Sequence, residues 1–209
     1  MARVTRNYGG LSAEQRRGER RARILDAGLD VVGRDGMSAM TMTAVCGAAG
    51  LTERYFYESF ANLDALRRAV VDELLAEVTG VIMAALTTEP PQLRVRCKAA
   101  ATAMFEVLAA DPRKARTFRE ASSREDLQQL RDTVLQGFAA VLAEQMAELA
   151  GLGDPRLRPR LIAATTMLVG GLAETISAYL GGSLPVPPEV FIDTAAQLCV
   201  DAATGLGGL

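Results

Sequence analysis

Along most of the chain, apolar residues return every three or four positions, the period that places them on one face of an α-helix. Ile24, Leu25, Gly28, Leu29 and Val32 form the first such stripe. Ser12 with Gln15 reads as a capping box ahead of it, and Asp35-Gly36 ends the helix. A longer helix follows Asn62, which can cap it, with Leu63, Leu66, Val70, Leu74, Val78, Val81 and Ala85 on one side, until Pro90-Pro91 stops it. Leu93, Cys97, Ala100, Met104 and Leu108 mark the next. Asp111-Pro112 joins a cap to a first-turn proline and opens a short helix. Ser122 with Glu125 predicts the cap of another, which carries two stripes, Leu127 to Val141 and Leu135 to Leu149. After Asp154-Pro155, residues 161–180 are apolar almost all round, and a helix without a polar face must be covered on every side. The last helix follows Pro187-Pro188 to about Thr204, leaving Gly205–Leu209 as a frayed tail. With two short helices between Thr41 and Phe60 the pattern predicts nine helices and no strand, an all-α fold.

Charge divides this pattern in two. The net charge of −2 conceals a head, residues 1–68, with 11 Lys+Arg against 8 Asp+Glu, and a body with 12 against 17. A basic end on an acidic body suits a DNA-facing head, although a solvated basic helix would look the same. Residues 1–11 read as a flexible basic arm carrying Arg3 and Arg6.

The absence of histidine removes the commonest metal ligand and the commonest general base. Cys46, Cys97 and Cys199 have no metal-ligand spacing and read as small apolar residues in a reducing compartment. No leader segment is visible, and the longest uncharged apolar run, Leu161–Ala173, has 13 residues where a bilayer span needs about 20. The expectation is a cytoplasmic protein without membrane association, without metal or cofactor, and not an enzyme.

Residues 41–60 read T-M-T-A-V-C-G-A-A-G-L-T-E-R-Y-F-Y-E-S-F. Thr41 can cap a helix that buries Met42, Val45 and Cys46; Ala48-Ala49-Gly50 permits a tight turn; Thr52 can cap a second helix that buries Phe56 and Phe60. Two short helices joined by a glycine-containing turn make a helix-turn-helix, whose second helix enters the major groove N-terminus first. Its outward residues are Thr52, Glu53, Arg54, Tyr55 and Tyr57. Arginine can pair with guanine, glutamate can accept from cytosine N4, and the hydroxyls suit phosphates. Tyr55 is evenly poised between groove wall and phosphate contact, and Arg16, Arg17, Arg20 and Arg21 read as a solvated face before a DNA track.

At this point the chain resembles the TetR family of bacterial transcriptional regulators. The resemblance rests on I-L-D-A-G-L-D-V-V-G-R-D-G at Ile24–Gly36, the helix-turn-helix, L-D-A-L at Leu63–Leu66 and D-P-R-K-A-R at Asp111–Arg116. It implies a DNA-binding domain over 12–67 and a ligand-binding and dimerisation domain over 68–209. Thr41, Thr43, Thr52, Glu53, Arg54, Tyr55 and Tyr57 inherit the operator-contacting positions. The family often has lysine where Glu53 and Leu63 stand and a small residue where Arg54 stands, so a different operator sequence is expected.

The resemblance also implies a homodimer through the last two helices, gripping a palindromic operator and released by a small apolar or cationic effector. Candidate pocket walls are Met104, Phe105, Phe118, Phe138, Met146 and Met167; candidate polar anchors are Arg119, Gln145, Thr166 and Glu174. Each reads as core before ligand contact, and Glu174 is the most suggestive, since it needs a partner if buried. The competing reading is a DNA-independent interaction or ligand-sensing protein that keeps the head as scaffold.

Overall fold

A computed structural model describes residues 12–121 and 124–208; the basic arm and Ser122 lie outside them. The described residues form nine α-helices and one 3-10 turn and contain no strand. They fall into two compact units divided between Val70 and Val71.

The first unit contains α1 (Ala13–Asp35), the 3-10 turn Met37–Ala39, α2 (Met42–Ala49), α3 (Glu53–Ser59) and the first turns of α4 (Leu63–Thr88). Ser12 caps α1 in a complete capping box with Gln15. Thr41 caps α2 by accepting from the Ala44 amide at 3.2 Å, and Asn62 receives the Ala65 amide at 2.8 Å ahead of α4. Gly28 lets α4 approach α1: a methyl there would meet Val70 Cγ2 at 3.0 Å. Ile24, Val31, Val32, Met40, Val45, Phe56 and Leu66 are fully buried and form the core of this unit.

Arginines fasten the head from outside. Arg23 donates through Nη2 to the Ala49 carbonyl at 2.6 Å, placing a cation at the C-terminal end of α2, where the orphan carbonyls and the helix dipole favour it. Arg67 does the same for the strap ahead of α2, donating to the Met40 carbonyl at 2.7 Å while pairing with Asp64.

The second unit holds the rest of α4 with α5 (Leu93–Ala109), α6 (Pro112–Glu120), α7 (Glu125–Leu149), α8 (Arg158–Leu180) and α9 (Pro188–Gly207). Helix α5 lies along α9, and α7 along α8. Met146, Leu152, Leu161 and Ala203 form one buried cluster, with Leu206 packed on it. This contact explains why α9 runs on to Gly207 where fraying was expected from Gly205. Asp111 caps α6 through the Arg113 amide, and the cap position of α7 is Arg124, which offers no capping side chain.

Helix α8 departs most from expectation. Only Leu161, Thr165, Ala173 and Ile176 are buried along it. Ile162 and Met167 stand 48% and 75% exposed. Nothing comes within 4 Å of where a methyl on Gly170 or Gly171 would sit. Among the described residues α8 is also the one helix long and apolar enough to cross a bilayer by length and composition, with 22% of its most apolar window buried. The uninterrupted run Leu161–Ala173 understated it, because Glu174 is the sole charge between Leu161 and Leu180.

Candidate nucleic-acid interface and effector cavity

The turn between α2 and α3 is set by Gly50, whose φ of 60° lies in the left-handed region. A side chain there costs about 1–2 kcal/mol. Leu51 continues the turn, its amide donating to the Cys46 carbonyl at 3.0 Å. Phe56, at 0% exposure, anchors α3, and Phe60 is buried just beyond the helix as its C-terminal cap. The rings pack 6.0 Å apart. With those two pointing inward, Thr52, Glu53, Arg54, Tyr55 and Tyr57 all point outward, as do Thr41 and Thr43. Tyr57 is 58% exposed, its ring edge-on to Phe56.

The two threonine caps differ. Thr41 spends its oxygen on the Ala44 amide, whereas Thr52 stands at the cap position of α3 without a side-chain hydrogen bond. Its hydroxyl is exposed. Tyr55 is held in place: Arg20 of α1 stacks over its ring at 4.7 Å and pairs with Glu58 at 3.5 Å. Arg54 reaches the same Glu58 at 3.3 Å, with its own side chain 85% exposed. Arg21 covers the Phe60 ring at 4.3 Å. The outward face of α3 is therefore ordered by α1: Arg20 and Arg21 take part in packing where a solvated face was expected, and Arg23 packs beside them. No periodicity signals these contacts, because the partners lie 26 to 39 positions away. Burial pushes the Cys46 thiol up, with the Glu53 carboxylate adding to the effect.

In the second unit, α5, α7, α8 and α9, with Ile82 and Leu86 of α4, enclose an apolar cavity of about 90 Å³. Of the ten residues put forward for a ligand, Met104, Phe138 and Gln145 line it. The other seven do not. Phe105 belongs to an aromatic cluster with Tyr179 and Phe191. Phe118 is core, its ring under Arg131. Met146 fills the buried cluster described above. Arg119 donates to the Leu180 carbonyl at 3.3 Å. Thr166 is exposed and donates back to the Ile162 carbonyl, and Met167 lines a surface groove on α8 and α9. Glu174 is exposed and paired with Arg131, so the question of a buried carboxylate does not arise.

Sequence reasoning passed over two features of the cavity wall. One is Arg96, which donates through Nη1 to Gln145 Oε1 at 2.6 Å. A guanidinium there argues against the cationic effector expected above. The other is the meeting of Cys97 and Cys199, more than a hundred positions apart, on the same wall. Their hydrogen bond, reinforced by burial, pushes the Cys97 thiol far up, and accepting it draws Cys199 down. Among the described residues, no group of three or more His, Cys, Asp or Glu could hold a metal ion.

Residues 24–70 match the family model described as bacterial regulatory proteins, tetR family. No curated protein sequence matches the chain. Among solved structures, FadR from Bacillus subtilis in complex with stearoyl-CoA aligns with a TM-score of 0.73 at 17% identity, covering 87% of this chain and 98% of that one. SCO4454, a TetR-family transcriptional regulator from Streptomyces coelicolor, gives 0.71 at 20% identity over 90% and 96%. The multidrug binding protein EbrR complexed with malachite green gives 0.67 at 24% identity over 86% and 98%. At these identities the likeness is one of fold.

Proposed function

From the match of residues 24–70 to the tetR family model, we propose that the chain is a TetR-family regulator, a homodimeric repressor released from a palindromic operator by a small-molecule effector. The observation that carries the DNA-binding part is the outward face of α3. Thr52, Glu53, Arg54, Tyr55 and Tyr57 are exposed together on a helix whose opposite side is sealed by Phe56. Arg54 and Glu53 would address base edges, and Thr41, Thr43, Thr52 and Tyr57 phosphates, with Tyr55 set by Arg20 against the groove wall.

Dimerisation is supported by the uncovered apolar face of α8 and α9. Met167, Gly171, Val190 and Leu198 line one groove there, and a second copy would bury it in a symmetric four-helix contact. Two recognition helices would then meet successive major grooves about 34–36 Å apart. The cavity in the same unit supports the effector. A ligand releases DNA only if it binds the non-binding dimer geometry better than the binding one.

The test is fluorescence anisotropy on DNA flanking the gene, at low and moderate salt. Sequence-specific binding that is lost in the Arg54→Ala, Tyr57→Phe double variant, with the circular-dichroism melt intact, is the expected result. No binding to any flanking fragment at low salt, where phosphate contacts are strongest, would refute the reading.

A further inference from the structure

The polar groups on the cavity wall are donors in search of an acceptor. Arg96 has no carboxylate partner among the described residues; the one hydrogen bond of its side chain goes to the neutral Gln145 side chain. Its Nε is buried and makes no hydrogen bond. Gln145 spends its carbonyl oxygen on Arg96, so its amide nitrogen is left with two unused donors. Around them the lining is Leu86, Leu93, Val141, Leu142, Leu168 and Leu172 with their apolar neighbours. Arg96 and Gln145 are half-buried, and a cation whose desolvated side faces apolar side chains without a counter-charge, with its Nε unfilled, is costly.

We infer that the cavity takes an amphipathic monoanion, a carboxylate on an unbranched apolar chain, with the carboxylate received by Arg96 and Gln145. The planar guanidinium offers two parallel donors, which match the two oxygens of a carboxylate better than any neutral head. The apolar wall then accepts the chain. An apolar molecule would leave the donors unfilled, and an ammonium would add a second cation beside the first. This deepens the proposed function, because it names the class of effector and rests on that reading for its regulatory meaning. The binding event itself is independent of it.

Isothermal titration of the full-length protein with decanoate, decanol and decyltrimethylammonium tests the assignment directly. Decanoate should bind at least about tenfold more tightly than decanol, the margin between a charge-assisted and a neutral hydrogen-bonded head, and the ammonium should not bind. In Arg96→Met, which keeps the apolar stem and removes the charge, decanoate should lose that advantage while decanol binding persists. Equal binding of decanoate and decanol to the unaltered protein overturns the inference whether or not the variant folds. So does a preference for the ammonium, the absence of decanoate binding up to its solubility, or an undiminished decanoate preference in Arg96→Met. Anisotropy on flanking DNA with and without decanoate keeps the two readings apart. Arg96-dependent decanoate binding that leaves the DNA complex untouched upholds the ligand class and refutes release. DNA binding without a carboxylate preference does the reverse.

Discussion

Glu58 holds two arginines at once, Arg20 of α1 and Arg54 of α3. Replacing it with glutamine should free both cations for phosphate. The expected result is tighter binding to unrelated DNA and a log–log salt dependence steeper by about two per head, read from anisotropy across a salt series. Asp111 gives a second residue-scale prediction. The Arg113 side chain, with its amide and the nearby Lys114, holds this carboxyl below the usual range against the opposing effect of burial. A depressed native value means that the cap contributes fully above the unfolded value, about 3.9, and is lost as pH falls through the lower native one. Asp111→Ala should cost about 1 kcal/mol in denaturant unfolding at neutral pH. The deficit should shrink toward zero in strong acid, where the native protein has also lost the charge. Both predictions concern contacts unequally visible in the sequence. Asp111-Pro112 announces its cap locally, while the Glu58 pairing needs α1 and α3 to be packed first.

At the scale of elements, the spacing of apolar residues sufficed for nearly every helix, since most boundaries are marked by a capping side chain, a glycine or a proline within one turn; the start of α7 at Arg124 is the exception. What it could not supply was the partner of each face. Gly28 shows the limit: its place in the α1 stripe was plain, but the Val70 methyl 3.0 Å from its missing Cβ is a fact about packing. Gly28→Leu should force α1 and α4 apart and cost about 1–3 kcal/mol, seen as a lower denaturation midpoint with an unchanged slope. Arg96 was overlooked for the same reason. Its sequence neighbours mark α5 as amphipathic, and only the approach of α7 brings Gln145 and the cavity to it. Of the residues offered for a ligand, the three that line the cavity lie on α5 and α7, because both helices turn a stripe inward; Thr166 and Met167 sit on the side of α8 that this chain does not cover.

For the whole molecule, that uncovered side is the decisive feature. In the proposed dimer, Met167→Glu with Leu198→Glu should leave a monomer by analytical ultracentrifugation, and operator affinity should fall by an order of magnitude or more. Conversion to monomer with undiminished operator binding would separate the groove from regulation. The same face also ties the protein to mass action. If α8 is sheltered only by its copy, each tenfold dilution while the dimer still predominates removes about 1.4 kcal/mol of apparent stability per dimer. The melting temperature should then climb with protein concentration. Operator occupancy in the dilute regime should follow the square of the amount of polypeptide present. Abundance becomes an input in its own right: a modest drop in synthesis would lift repression more steeply than its size suggests, before any effector arrives.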